Sequence, residues 1–222
     1  MATSAQVSAP TPGLPGRGAD RGGALGQGGG VESVRHPVTW LVTAWAWPLW
    51  RVVRATAAGP CTRRDAERWA ECLDRPRLAR LPAGARFGWL VARHPEFRSL
   101  VHYRLTPLPW AVRLLLRAVY RPLPTLHLNC AVIGPGLFIE HGFATTLTAR
   151  TVGRDCRVNQ QVTVGHTGRG QPVIGDRVSI GAGAVVVGPV TVGDDACIGA
   201  NATVVRDVPP GAVMLAPPAV AR

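Results

Sequence analysis

The chain contains no lysine; all 25 of its Lys/Arg positions are arginine. That excludes Schiff-base and lysine-nucleophile chemistry. Acids are scarce too, 13 in all, which leaves a formal net charge of +12. The excess is lopsided. Residues 1–121 hold 18 Arg and seven acids, giving +11, and residues 122–222 hold seven Arg and six acids, giving +1. A basic surface attracts phosphates, membranes or nucleic acid. No zinc-finger, RNA-recognition or helix-turn-helix signature accompanies it, so nucleic acid is not an expected partner. No CxxC pair occurs: Cys61, Cys72, Cys130, Cys156 and Cys197 are scattered and odd in number. The N-terminal stretch also lacks the apolar core of a signal peptide. A reduced, cytoplasmic setting is the expectation, with the thiols serving as small buried residues.

What is present divides the chain into three parts and a short tail. Residues 1–36, with the run GGALGQGGG, have too little apolar surface to offset their ordering entropy and read as a disordered tail. Residues 37–124 read as a helical N-terminal domain. It opens on a Trp-rich run with Trp40, Trp45, Trp47 and Trp50. That run is free of charge only from Pro37 to Trp50, short of the about 20 residues that cross a membrane. Two readings remain for residues 37–58: helix–helix core, or peripheral contact with a membrane surface, which Trp and Arg suit. TRRDAERWAECLDRPR reads as a helix capped by Thr62. PEFRSLVHYRL and PWAVRLLLRAVY continue the pattern, the second with Arg113, Arg117 and Arg121 spaced by four.

From residue 125 the helical spacing gives way to a period of six. Aliphatic anchors fall at Val152, Val158 and Val164, then at Ile174, Ile180, Val186, Val192, Ile198 and Val204. Ile133 and Ile139 begin the same series. Small or β-branched residues follow four positions on, at Cys156, Val162, Val178, Ala184, Val190, Ala196, Ala202 and Val208. Each hexad is one short strand and a corner, and glycine after the anchor eases the bend. Three hexads close one coil, and coils stack at the β spacing of about 4.8 Å. The expected fold is therefore α+β: a helical region, then a parallel β-helix over 125–208 and a C-terminal tail over 209–222.

The period also predicts a site. Two residues beyond the anchors 139, 158, 180 and 198 stand His141, Gln160, Ala182 and Ala200. Stacking puts them in one column along one edge. The two alanines leave room for a slender chain, and His141 and Gln160 supply polar chemistry. A neutral histidine, with an ordinary pKa near ~6.5, suits a general base.

The segments IGPGLFIEHG, VNQQVTVGHTG, IGDRVSIGAGA and IGANATVVRDVPPGAV, with FRSLVHYRL upstream, resemble the hexapeptide-repeat acyltransferases of the serine O-acetyltransferase branch. The likeness covers about residues 95–222. It implies a left-handed β-helix, an exception to right-handed crossovers. It implies acetyl-CoA as co-substrate without a metal, a small-molecule acceptor, and a homotrimer or dimer of trimers with the CoA groove between subunits. On the matching positions it implies His141 as base, Glu140 as the neighbouring acid, and CoA contacts at Ala182, Gly183 and Ala200. Gln160 and His166 are candidates on the acceptor side, and Arg206 and Arg222 for CoA phosphates. Leu126 stands where the family's orienting aspartate falls. The loop HTGRGQP is shorter than the family's. A sugar, amino sugar or specialised metabolite is the alternative acceptor, and a non-catalytic trimeric scaffold is the reading without an enzyme. A zinc hydratase would need three convergent histidines, and no third partner joins His141 and His166.

Overall fold

A computed structural model of the chain describes residues 37–217. The proposed tail over 1–36 and Arg222 lie outside the described residues. The first part is helical: α1 (Pro37–Arg54), α2 (Gly59–Cys72), the short α3 (Pro76–Ala79), α4 (Ala83–Arg93), α5 (Pro95–Arg104) and α6 (Trp110–Val119). Prolines start several of them, at Pro60, Pro76 and Pro95, where a fixed φ and a missing N–H cost nothing. Pro60 also moves the expected α2 start upstream. The helix begins at Gly59, and Thr62 lies inside it, buried, with its Oγ1 unpartnered rather than capping.

Helix α1 settles one side of the Trp-rich run. Ala46, Leu49, Trp50 and Val53 enter the core, and Trp50 packs on Phe87 of α4. Leu41, Trp45 and Trp47 remain exposed on its other side. No described helix is long and apolar enough to cross a membrane.

The second part is a left-handed, three-sided parallel β-helix. Its coils run β1 (Leu126–Leu128), β2 (Val132–Ile133), β3 (Phe138–Ile139); β4 (Thr145–Leu147), β5 (Thr151–Val152), β6 (Arg157–Val158); β7 (Thr163–Gly165), β8 (Val173–Ile174), β9 (Ser179–Ile180); β10 (Val185–Val187), β11 (Thr191–Val192), β12 (Cys197–Ile198); and β13 (Thr203–Val204) with β14 (Val213–Met214). Equivalent strands stack into three sheets, ordered β1-β4-β7-β10-β13, β2-β5-β8-β11 and β3-β6-β9-β12-β14. Every expected anchor from Ile133 to Val204 is buried, as are the small residues four positions on. The period of six is thus the period of the core.

The glycines after the anchors do a different job from the one expected. None of Gly153, Gly175, Gly181, Gly193 and Gly199 has a positive φ. The left-handed corner residues are instead Asp155, Arg177 and Asp195 in one column, and Gln161, Gly183 and Asn201 in another. The post-anchor glycines are required because the next coil closes on them. A Cβ on Gly153 would lie 2.3 Å from the Gly175 carbonyl oxygen. Gly153→Ala should therefore cost about 1–3 kcal/mol through forced backbone displacement. Chemical denaturation would read it, and a loss below ~0.5 kcal/mol would contradict this account.

Candidate active site

The strand that leads to His141 is fixed from both sides. Its own side chains alternate: Ile139 points into the coil, and Phe138 lies edge-on to Trp69 of α2 at 5.0 Å between centroids. The preceding turn is held by the helices. Trp69 Nε1 donates to the Leu137 carbonyl at 2.8 Å. The Asp65 carboxylate of α2 accepts the Gly136 N–H at 2.7 Å and Arg104 Nε at 3.0 Å. Arg104, from α5, also donates to the carbonyls of Ile133 and Gly134. Both partners of this ion pair are buried, with side chains 1% and 6% exposed. Backbone amides and carbonyls that the turn leaves without a ladder partner are thereby satisfied.

The corner itself departs from the repeat. Ile139 to Leu147 is eight residues, whereas Val158 to Val164, Ile180 to Val186 and Ile198 to Val204 are each six. The two additional residues bulge at His141 and Gly142. His141 adopts φ 57° and is exposed, and Ala144, at φ 50°, takes up the left-handed position of the coils below. Gly142 is buried, and the space a Cβ would need there is filled by Ile139 Cγ2 at 2.9 Å, Glu96 Cγ at 3.0 Å and Leu126 Cδ2 at 3.2 Å.

The register aligns the lower three positions of the expected column and sets His141 apart in the bulge. Ile139, Val158, Ile180 and Ile198 pair in succession, and Gln160, Ala182 and Ala200 stand at equivalent corners beyond them, whereas in the first coil Phe143 takes that ladder position (its carbonyl accepts the Gln161 N–H at 2.8 Å) and His141 lies in the bulge just before it on the same edge. Backbone bonds knit that edge: Gly183 N–H donates to the Gln160 carbonyl at 3.1 Å and Asn201 N–H to the Ala182 carbonyl at 2.9 Å. Gln160 Oε1 is buried without a hydrogen-bond partner. Glu140 faces outward and accepts Arg157 of the next coil, Nη2 at 2.5 Å and Nε at 3.2 Å. Its carboxylate is therefore engaged by Arg157.

His166 and Arg206 fall on another edge. Each lies two residues past a buried anchor of the first sheet, Val164 or Val204, whereas the His141 column lies past the third sheet. His166 opens a small hairpin closed by Thr167 and Gly170, which bond each other at 3.0 Å in both directions. Within one chain these two residues are not brought to His141. No group of three or more His, Cys, Asp and Glu residues able to hold a metal occurs among the described residues.

Two side chains near the site carry no sequence signal. Arg157 answers Glu140 from seventeen positions away. His94, at the start of α5, sits against the rings of Trp69 and Trp89 at 5.5 Å each. Burial first, and then the charges of Arg75, Arg93, Arg98 and His141, push its pKa down to about 4. It is neutral at physiological pH. His102 is buried with its Nε2 2.7 Å from the Tyr120 carbonyl oxygen, a structural bond, and His127 is exposed on β1.

Comparison with known proteins gives the same fold. The family model described as bacterial transferase hexapeptide (six repeats) matches residues 171–206. The serine acetyltransferase of Mycobacterium tuberculosis is 39% identical over 93 residues, 40% of this chain and 41% of that protein. That of Synechococcus elongatus is 33% identical over 136 residues, 56% of each. The chain spans about half the length of the curated relatives it matches. The crystal structure of Neisseria gonorrhoeae serine acetyltransferase in complex with serine superposes with a TM-score of 0.57 at 21% identity, covering 83% of this chain and 82% of that one. The Entamoeba histolytica serine acetyltransferase 1 structure with L-cysteine gives 0.55 at 22% identity, covering 81% and 73%. The chain is thus similar to serine acetyltransferases in sequence over part of its length and in fold over most of it.

Proposed function

We propose that the protein is an acetyl-CoA-dependent O-acetyltransferase acting on the hydroxyl of serine or a similar small acceptor. The observation that supports this reading is one coil edge on which Gln160, Ala182 and Ala200 stand at equivalent corners and the exposed His141 lies in the bulge at its head. The edge fits a pantetheine arm. Ala182 and Ala200 leave width for it, and the orphan Gln160 Oε1 lacks a donor that a bound molecule would supply. A thioester donor brings an activated acetyl group to the head of the column. His141 takes the acceptor hydroxyl's proton as that oxygen attacks the carbonyl, and returns it to the departing thiolate sulfur. Gln160 and corner N–H groups are the donors available to the developing oxyanion.

His166 and Arg206, on a different edge, enter the site only from a neighbouring copy. The reading therefore calls for a homotrimer or dimer of trimers, with one subunit's His166 edge against the next subunit's His141 edge. The five free cysteines agree with a reducing, cytoplasmic setting. Exposed Leu41, Trp45 and Trp47 are the residues a peripheral membrane contact would use, and acetyl transfer does not require it. A sugar or amino-sugar acceptor is the second reading. It is favoured by Leu126 and by the short hairpin after His166, both of which alter the acceptor side rather than the CoA edge.

The donor half of the proposal is tested by calorimetry. Acetyl-CoA should bind the wild type, and Ala182→Trp, which fills the column, should weaken binding at least ~10-fold, the loss of about 1.4 kcal/mol. Equal affinity in the two proteins would move the CoA site elsewhere.

A further inference from the structure

Helix α6 turns its apolar side outward. One of its ten residues, Leu116, is buried. Trp110, Leu114 and Ala118 follow at spacing four, with Ala111, Leu115 and Val119 beside them, and all six are exposed. Spacings of one and four gather these residues on one side of a helix. Trp110 is 75% exposed, Leu115 66% and Leu114 62%. The face continues onto α1. The Tyr120 ring packs on Trp45 at 4.8 Å between centroids, and the Tyr120 hydroxyl donates to the Trp45 carbonyl at 2.8 Å. The exposed side of Trp45 thus borders the end of α6, and exposed Leu41 stands one turn earlier on α1. A contiguous apolar surface of this kind marks an interaction site.

Charge identifies what it meets. Arg51 and Arg54 end α1, Arg113 and Arg117 lie on α6, and Arg121 follows it. Neither helix contains an acid, and residues 97–139 hold none. None of these five arginines has an acidic partner among the described residues. A second copy laid on this face would bring like charges together with no carboxylate to answer them. An anionic lipid surface answers both features: Trp and Leu enter the headgroup boundary, and the arginines meet the acidic headgroups. We propose that α6, with the exposed side of α1, docks the protein on an anionic membrane surface. Ten residues make about 15 Å of helix, so α6 lies in the interface plane and does not span it. This extends the contact suggested for α1 and is independent of acetyl transfer.

The test is co-sedimentation of the full chain, without acetyl-CoA, with vesicles of phosphatidylcholine alone or with about a third phosphatidylserine. Binding should be at least ~10-fold tighter to the anionic vesicles and should weaken as salt rises. Leu114→Ser with Leu115→Ser, at exposed positions, should weaken it at least ~10-fold with thermal midpoint and oligomeric state unchanged. Arg113→Gln with Arg117→Gln should cut the preference for anionic vesicles at least ~10-fold. Equal binding to both vesicles, or none, would overturn the proposal. A change of oligomeric state in the double Leu variant would also overturn it, and would assign the face to a second copy of the chain. If Leu41→Glu weakened binding and the α6 variants did not, the contact would be on α1 alone and the role of α6 would fall. A protein that binds these vesicles and transfers no acetyl group would defeat the acetyltransferase reading and leave this one standing.

Discussion

His141→Ala is expected to slow acetyl transfer at least ~100-fold while leaving acetyl-CoA affinity within about twofold. The first figure is the lower range of what a positioned base contributes. The second follows from the geometry. His141 stands in the bulge at the head of the edge, and the proposed CoA contacts, Ala182, Gly183 and Ala200, lie on the coils below it. The side chain is exposed, so its removal leaves no cavity and the fold should stay intact. Steady-state thiol release gives the rate, and calorimetry gives the affinity. A variant within threefold of wild-type kcat would remove His141 from the chemistry. A variant that lost both rate and CoA affinity would place the ring against the cofactor instead.

Arg104→Met is expected to destabilise the protein by about 3–5 kcal/mol, the usual cost of leaving one member of a buried ion pair without the other. The substitution strands the Asp65 carboxylate, whose side chain is 1% exposed. It also removes donors from the carbonyls of Ile133 and Gly134. Urea unfolding at fixed protomer concentration would measure it, because oligomer stability depends on concentration. The pair clamps the turn that leads into β3, so kcat should also fall at temperatures where the variant remains folded. A loss below ~1 kcal/mol would mean that water reaches Asp65 and that the clamp is not closed.

The two halves of the chain were legible to different degrees, for a physical reason. In the β-helix each coil repeats the same packing problem, so an aliphatic at every sixth position reports both strand and face. Ile139, Val158, Ile180 and Ile198 accordingly predict the pairing that is found, and with it the alignment of Gln160, Ala182 and Ala200. The spacing of eight from Ile139 to Leu147 was present in the sequence, but it reads as noise in the period until the Gly142 bulge is known. Composition alone does not separate a glycine that turns from one on which the next coil closes, so the role of Gly153 and its equivalents shows only in the packing. The helical half gave its elements but not their contacts. Nothing in PEFRSLVHYRL says that Glu96 lies over Gly142, or in ERWAE that Trp69 bonds Leu137. Those meetings are long-range and occur once each. His166 and Arg206 share the repeat with His141, and only the coil's three-fold geometry separates their edges.

The central claim is that this edge moves an acetyl group from acetyl-CoA to a hydroxyl, with serine as the leading acceptor. It is tested most directly by thiol release from acetyl-CoA across serine, homoserine, amino sugars and nucleotide sugars, with mass analysis of the product. The account predicts saturable, serine-dependent release of one thiol per O-acetylserine formed. Release only with a sugar or amino-sugar acceptor would contradict the serine assignment, and no acceptor-dependent release from a folded protein would contradict the enzyme.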